Sequence, residues 1–268
     1  MSPWTPFGRR VLEESFDVAA HLRRGVENEL RVELGNGWGN PLPLKMWGAY
    51  NLRDALVTGT PCVRATLEIV YADGVREMLE SDANWLAGEG RLLRNSIYLG
   101  VREDSRLDVA LHSRARVVTG PRGVLVPADD FPKTVVYDRL RPQRVSPLAE
   151  GKWIVDFGTN VAGTIRFRLR DVPAGREVRF RQGEILNDDG SVNVMSAVCG
   201  QVKDSSAGPL YAVAEQCDRW ISSGKPEAVF EPRMTFHVGR YVQVEGLDYA
   251  PDPADCELLA WSADVPAT

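Results

Sequence analysis

The residues with most to offer chemically lie in one short run, Gly35-Asn36-Gly37-Trp38-Gly39-Asn40-Pro41, followed by Trp47, Tyr50 and Asn51. Indoles and amides on a glycine-rich loop suit a sugar. An indole face stacks on the apolar C–H face of a pyranose, and amides hydrogen-bond its hydroxyls. Asn36, Trp38, Asn40 and Trp47 are therefore the candidate sugar-binding residues. The competing reading is architectural, with Trp38 plugging the end of a β-sandwich while the glycines make the bend.

Other chemistries find little to use. There is no G-x-S-x-G nucleophile elbow, no phosphate loop and no His-x-x-x-His pair. The three histidines, His21, His112 and His237, are scattered. The 37 acidic residues cannot be paired from sequence, so no catalytic residue is assigned. Asn187-Asp188-Asp189-Gly190 misses the calcium-loop pattern and reads as a turn. Cys62, Cys199, Cys217 and Cys256 lie far apart, which argues against a zinc site and for free thiols, with one distant disulfide as the alternative.

The elements that would carry such a loop are strands. Leu30, Val32 and Leu34 alternate with charged residues, and Val63 to Ile69, Ile165 to Leu169, Val178 and Phe180, and Val242 and Val244 alternate with charged or other polar residues. That period of two predicts strands with one face in a core. Tyr71-Ala72-Asp73-Gly74, Pro173-Ala174-Gly175 and Asn187 to Gly190 supply turns between them. Asp17 caps a single helical turn through Leu22. The most punctuated stretch, residues 119–148, predicts a linker followed by an entry strand over Thr134–Leu140. The expected fold is all-β, two antiparallel, jelly-roll-like β-sandwiches in tandem, over residues 1–126 and 127–268.

A net charge of −5 is a poor match for phosphate backbones, so no nucleic acid is expected as a partner. No segment nears the ~18–20 apolar residues that span a bilayer, so neither is a membrane. Met1 to Val11 lacks the apolar core of a signal peptide, and a cytoplasmic location is expected.

Several of these segments together resemble one family. Gly35-Asn36-Gly37-Trp38 after a Leu-Val-Leu strand is similar to the first accessory domain of bacterial α-L-rhamnosidases, glycoside hydrolase family 78. Asn95-Ser-Ile-Tyr-Leu-Gly100 with Asp104-Ser-Arg106 resembles the segment before the family's inter-domain linker. Trp153-Ile-Val-Asp156-Phe-Gly-Thr-Asn160-Val-Ala-Gly163 resembles its V-D-F-G-Q-N-x-A-G signature. Gly183-Glu184-Ile-Leu and Phe230-Glu231-Pro-Arg233-Met-Thr-Phe-His237, with Arg240-Tyr241-Val242, follow in order. Thr159 replaces the signature Gln, and Glu103 stands where the family has Tyr.

The resemblance implies two accessory β-sandwiches that precede an (α/α)6 barrel bearing the catalytic acids. It also implies terminal α-L-rhamnosides as substrates of the whole enzyme and, in some members, rhamnose bound through calcium. Calcium is thus the one candidate cofactor, and an L-rhamnose-containing carbohydrate the candidate ligand. With no barrel counterpart before Thr268, the expectation is a non-catalytic portion with no activity alone. A free-standing carbohydrate-binding module is the alternative. Asp104, Arg106, Asp156, Asn160, Glu231, Arg233 and His237 are assigned structural roles. The last five are expected to hold the second sandwich together, where losing one partner of a buried charge pair costs about 3–5 kcal/mol. The late start relative to the family leaves a sheet edge to cover, by a homo-oligomer, by rearrangement near Leu107–Ser113, or by a partner such as a separate barrel chain.

Overall fold

The alternating runs do become strands, and one of them organises the molecule. The computed structural model describes residues 4–40, 44–46, 50–51, 58–129, 131–197, 201–203, 211–213 and 216–265. The N-terminal half contributes β1 (Arg10–Glu13), β2 (Leu44–Met46), β3 (Tyr50–Asn51), β4 (Thr66–Val70), β5 (Arg76–Glu80), β6 (Leu86–Glu89), β7 (Leu92–Ser96), β8 (Gly100–Asp104), β9 (Ala110–Arg114) and β10 (Val124–Pro127). The C-terminal half contributes β11 (Thr134–Leu140), β12 (Arg144–Ala149), β13 (Lys152–Arg170), β14 (Glu177–Gly183), β15 (Gln201–Lys203), β16 (Tyr211–Val213), β17 (Cys217–Ile221), β18 (Glu227–Phe230), β19 (His237–Glu245) and β20 (Cys256–Ala263). Helical structure among the described residues is confined to short 3-10 turns, one of them at Ala19–His21, where Asp17 Oδ1 accepts from the Ala19 amide at 2.9 Å. The chain is all-β.

Strand β13 makes the main sheet curl. Its first part, Lys152–Asp156, pairs with β12 and β19. Its last part, Gly163–Arg170, pairs with β20 and β18. Between them the register shifts at Asp156/Val161, where Gly158 takes φ +77°. A left-handed residue at a register shift bends a strand, and a bent strand can serve two layers. The sheet runs β11-β20-β13-β19-β14-β17-β8-β7, with β12 and β18 also on β13.

The core lies inside this curl. Ile165, Phe167 and Leu169 of β13 point inward with Val178 and Phe180 of β14. Phe167 meets Phe180 edge-on at 5.0 Å, and Phe180 stacks on Phe230 at 5.1 Å. Burying aromatic rings in contact adds about 0.5–1.5 kcal/mol per pair beyond area. The intervening residues Arg166, Arg168 and Arg170 face out and pair with Glu231, Glu227 and Asp255.

The N-terminal half enters this sheet through β7 and β8. Strand β8 pairs parallel to β17, setting Arg102 opposite Arg219 and Asp104 opposite Ile221. Strand β1 pairs parallel to β10, and β4–β5 and β6–β9 are separate two-stranded ribbons. One expectation is corrected here. Leu30–Leu34 forms no ladder among the described residues, and its three apolar side chains are exposed. Alternation yields a strand only where an edge is on offer. This segment is tethered instead by an ion pair from Glu33 to Arg233 at 2.7 Å. The Asp73-Gly74 hairpin, the Pro173–Gly175 turn and the entry strand Thr134–Leu140 form where expected.

Candidate functional site

The glycine-rich loop does not hang free. The Asn36 amide donates to Asn95 Oδ1 at 2.7 Å, and Asn95 Nδ2 returns a bond to the Asn36 carbonyl at 2.7 Å. Asn95 Nδ2 also reaches the Met234 carbonyl at 3.4 Å. Asn40 Nδ2 donates to Asn36 Oδ1 at 2.7 Å, and the Asn40 amide to the Gly37 carbonyl at 3.0 Å. A Cβ at Gly35 would fall 2.1 Å from the Met234 sulfur, so a side chain there would have to push Met234 aside. Asn95, buried on β7, is the post to which the loop is tied.

Trp38 is half-buried. Its ring lies 6.3 Å from Trp4 and 5.9 Å, edge-on, from Tyr98. Trp4 is 45% exposed, so this cluster of three rings reaches solvent at Trp4. Asn36, Trp38 and Asn40 are thus brought together. Trp47 lies outside the described residues. Asn95, Trp4 and Tyr98 are partners that loop chemistry alone does not point to. Asn95 and Tyr98 sit in a motif that the family resemblance does mark.

Calcium finds a poor set of donors in this loop. The ion wants six to eight oxygens, carboxylates among them. The amide oxygens of Asn36 and Asn95 are already hydrogen-bonded. Among the described residues no group of three His, Cys, Asp or Glu converges. The donor set of this loop does not fit the ion.

The other sequence candidates lie in the curled sheet or at its seam with the N-terminal half. Asp104 is buried and takes a two-pronged grip from Arg106 at 2.9 and 2.7 Å. Asp156 is held the same way by Arg240 at 2.7 and 2.8 Å and accepts from the Gly158 amide at 2.7 Å. Asn160 is exposed within β13. Glu231 pairs with Arg166 at 2.7 Å. Arg233 is a surface residue, 68% exposed, and its ion pair with Glu33 ties the two halves rather than a core. His237 is fully buried, with Nε2 3.1 Å from Asp218 Oδ1. Asp218 Oδ1 also accepts from the Val101 amide of β8 at 2.9 Å. Cys62 and Cys256 are free thiols, Cys199 lies outside the described residues, and burial pushes Cys256 up to about 12.

Arg240 and Arg106 hold the carboxyls of Asp156 and Asp104 below the usual range by hydrogen bonding. A carboxylate depressed in the folded state contributes stability above its unfolded value of about 3.9 and loses it as pH falls through the folded value. Glu103 runs the other way. Burial raises it, so its cost sets in as pH climbs above about 4.3. The melting temperature should therefore decline below about pH 4 as Asp156 and Asp104 take up protons, while Glu103 works in the opposite sense above about pH 4.3. Arg240→Gln should make that acid decline shallower. A melt that instead weakens between about pH 7 and 6 would contradict this assignment.

An open pocket of about 370 Å³ lies elsewhere, lined by Lys152, Arg176, Glu177, Arg179 and Glu245 among others. Its arginines are engaged, Arg176 with Asp248 and Arg179 with Glu177.

Comparison with known proteins settles the family. Residues 1–142 match the α-L-rhamnosidase N-terminal domain, and residues 146–261 match the bacterial α-L-rhamnosidase concanavalin-like domain. The chain belongs to the bacterial α-L-rhamnosidase family. It is 28% identical to an α-L-rhamnosidase of Streptomyces avermitilis over 99% of this chain and 25% of that protein. It is 25% identical to one from Formosa agariphila, over 98% of this chain and 27% of the relative. The chain thus spans about a quarter of the curated rhamnosidases it matches. Among solved structures, the Streptomyces avermitilis α-L-rhamnosidase complexed with L-rhamnose superposes with a TM-score of 0.77 at 24% identity, over 98% of this chain and 24% of that one. The Dictyoglumus thermophilum α-L-rhamnosidase gives 0.76 at 22%, over 97% and 27%. Both show a shared fold.

Proposed function

We propose that these residues are the non-catalytic β-rich portion of an α-L-rhamnosidase, accompanying hydrolysis of terminal α-L-rhamnosides by a barrel outside this chain, and that loop 35–40 gives it a weak sugar contact. The observation that carries the sugar contact is the pinned loop beside an aromatic cluster that reaches solvent at Trp4. Asn95 fixes the backbone of Asn36, so little ordering cost remains when a ligand arrives. Trp4 and Trp38 offer ring faces for a 6-deoxy sugar, whose methyl group adds apolar surface. That the Streptomyces avermitilis relative was solved with L-rhamnose supports rhamnose as the first sugar to try.

The test is a rhamnose titration of the 268-residue chain, followed by tryptophan fluorescence and by calorimetry, with and without calcium. A dissociation constant in the ~0.1–1 mM range is expected, because few atoms can stack or hydrogen-bond. Trp38→Ala should abolish it while the fold survives. Equal binding by wild type and Trp38→Ala would place the contact elsewhere. No binding by either, with a lowered melt for the variant, would make Trp38 a plug.

A further inference from the structure

The ribbon β4–β5 is among the most exposed ladders of the described residues, with all five residues of β5 exposed. Among the described residues neither of its edges is paired. Met78 is 57% and Leu79 49% exposed. An isolated two-stranded ribbon is marginal in water, and a bare edge is a template for another strand.

Its hydrogen bonds show which groups face the open edge of β5. The Tyr71 amide donates to the Val75 carbonyl at 2.9 Å, and the Ser81 amide to the Ala65 carbonyl at 2.8 Å. Antiparallel ladders alternate bonded and non-bonded pairs. Glu77 and Leu79 therefore bond inward, toward Ile69 and Leu67. Arg76, Met78 and Glu80 turn their N–H and C=O groups outward.

That edge is self-complementary. Lay a second copy antiparallel with Met78 on the two-fold axis, and Arg76 of each copy stands opposite Glu80 of the other. Registers with Arg76 or Glu80 on the axis would oppose like charges. Leu67, Ile69 and Leu79 share one face of the ribbon, so the pairing joins two small apolar faces into one sheet of four strands. Within the chain, Arg76 touches Glu68, and Arg64 reaches Glu80 at 3.1 Å. All four are more than two-fifths exposed, which leaves Arg76 and Glu80 open to a second partner. Exposed pairs add little affinity singly, so their role here is to set the register while the backbone bonds hold the strands.

We infer that β5 is a self-docking edge, through which two copies of this chain pair antiparallel about Met78. The inference is independent of the sugar reading. The test is sedimentation velocity on the full chain from about 1 to 100 µM, a range over which ordinary interfaces of this kind associate. Wild type should pass from monomer to dimer. Arg76→Glu and Glu80→Arg should each raise the midpoint about tenfold, since each sets like charges opposite. Mixed together, the two variants should form a heterodimer at the wild-type midpoint, because every mixed pair is again of opposite charge. Wild type monomeric at about 100 µM, or variants that dimerise as wild type does, would overturn the proposal. Should a variant fail to fold, hydrogen exchange on wild type decides. The Arg76, Met78 and Glu80 amides should gain protection with concentration, and unchanged fast exchange in a dimer would also overturn it.

Discussion

Asp218→Ala should be among the most damaging single substitutions in the chain, lowering stability by about 3–5 kcal/mol. Asp218 and His237 are both fully buried. The Asp218 carboxylate gathers the His237 imidazole from β19 and the Val101 amide from β8. Removing it leaves a buried ring nitrogen and a buried backbone donor without their acceptor, and each unmet group carries its desolvation cost. For a chain of this size the melting temperature should fall by roughly 6–20 °C, at ~2–4 °C per kcal/mol. Asp218→Asn keeps the shape and one acceptor oxygen, so it should recover a large part of the loss. A thermal melt of Asp218→Ala within about 2 °C of wild type would show that the pair does not hold the sheet.

Why Asp218 escapes a reading of the sequence is instructive. Cys217-Asp218-Arg219-Trp220-Ile221 carries two adjacent charges. Nothing in their order says that the acid, rather than the arginine, turns inward beside Trp220. Only the register does, setting Asp218 opposite Phe180 and Trp220 opposite Val178. In the last part of β13, Ile165 to Arg170, and in β14 the same alternation is legible, because apolar and charged residues never exchange faces there, and the core follows from the pattern. Thr134–Leu140 is legible because prolines bracket it. Leu30–Leu34 misleads for the opposite reason. Its pattern is as clean as that of β13, but pairing depends on a neighbour that local sequence does not supply. The loop at Asn36 to Asn40 announces its chemistry through residue type, while its anchor Asn95 lies far along the chain and enters only through the fold.

The seam that Asp218 guards has a second weak point on its other side. Gly100 opens β8 with φ +80°, and a methyl group there would fall 2.5 Å from Asp218 Oδ1 and 2.6 Å from the Cys217 carbonyl oxygen. Gly100→Ala therefore meets two penalties. The left-handed backbone costs an L-residue about 1–2 kcal/mol, and overpacking against a buried carboxylate and a ladder carbonyl adds about 1–3 kcal/mol. The expected loss is roughly 2–5 kcal/mol, concentrated where β8 joins β17. Hydrogen exchange should show it first in the Val101 to Asp104 amides, while β13 and β20 stay protected. The two sites touch, so their effects should not add. Once Asp218→Ala has removed the carboxylate, the methyl group introduced by Gly100→Ala no longer strikes it, and the Gly100→Ala penalty should shrink by about 1 kcal/mol or more. A double variant whose loss equals the sum of the two singles would mean that Gly100 answers to the Cys217 carbonyl and to its own backbone, and not to Asp218.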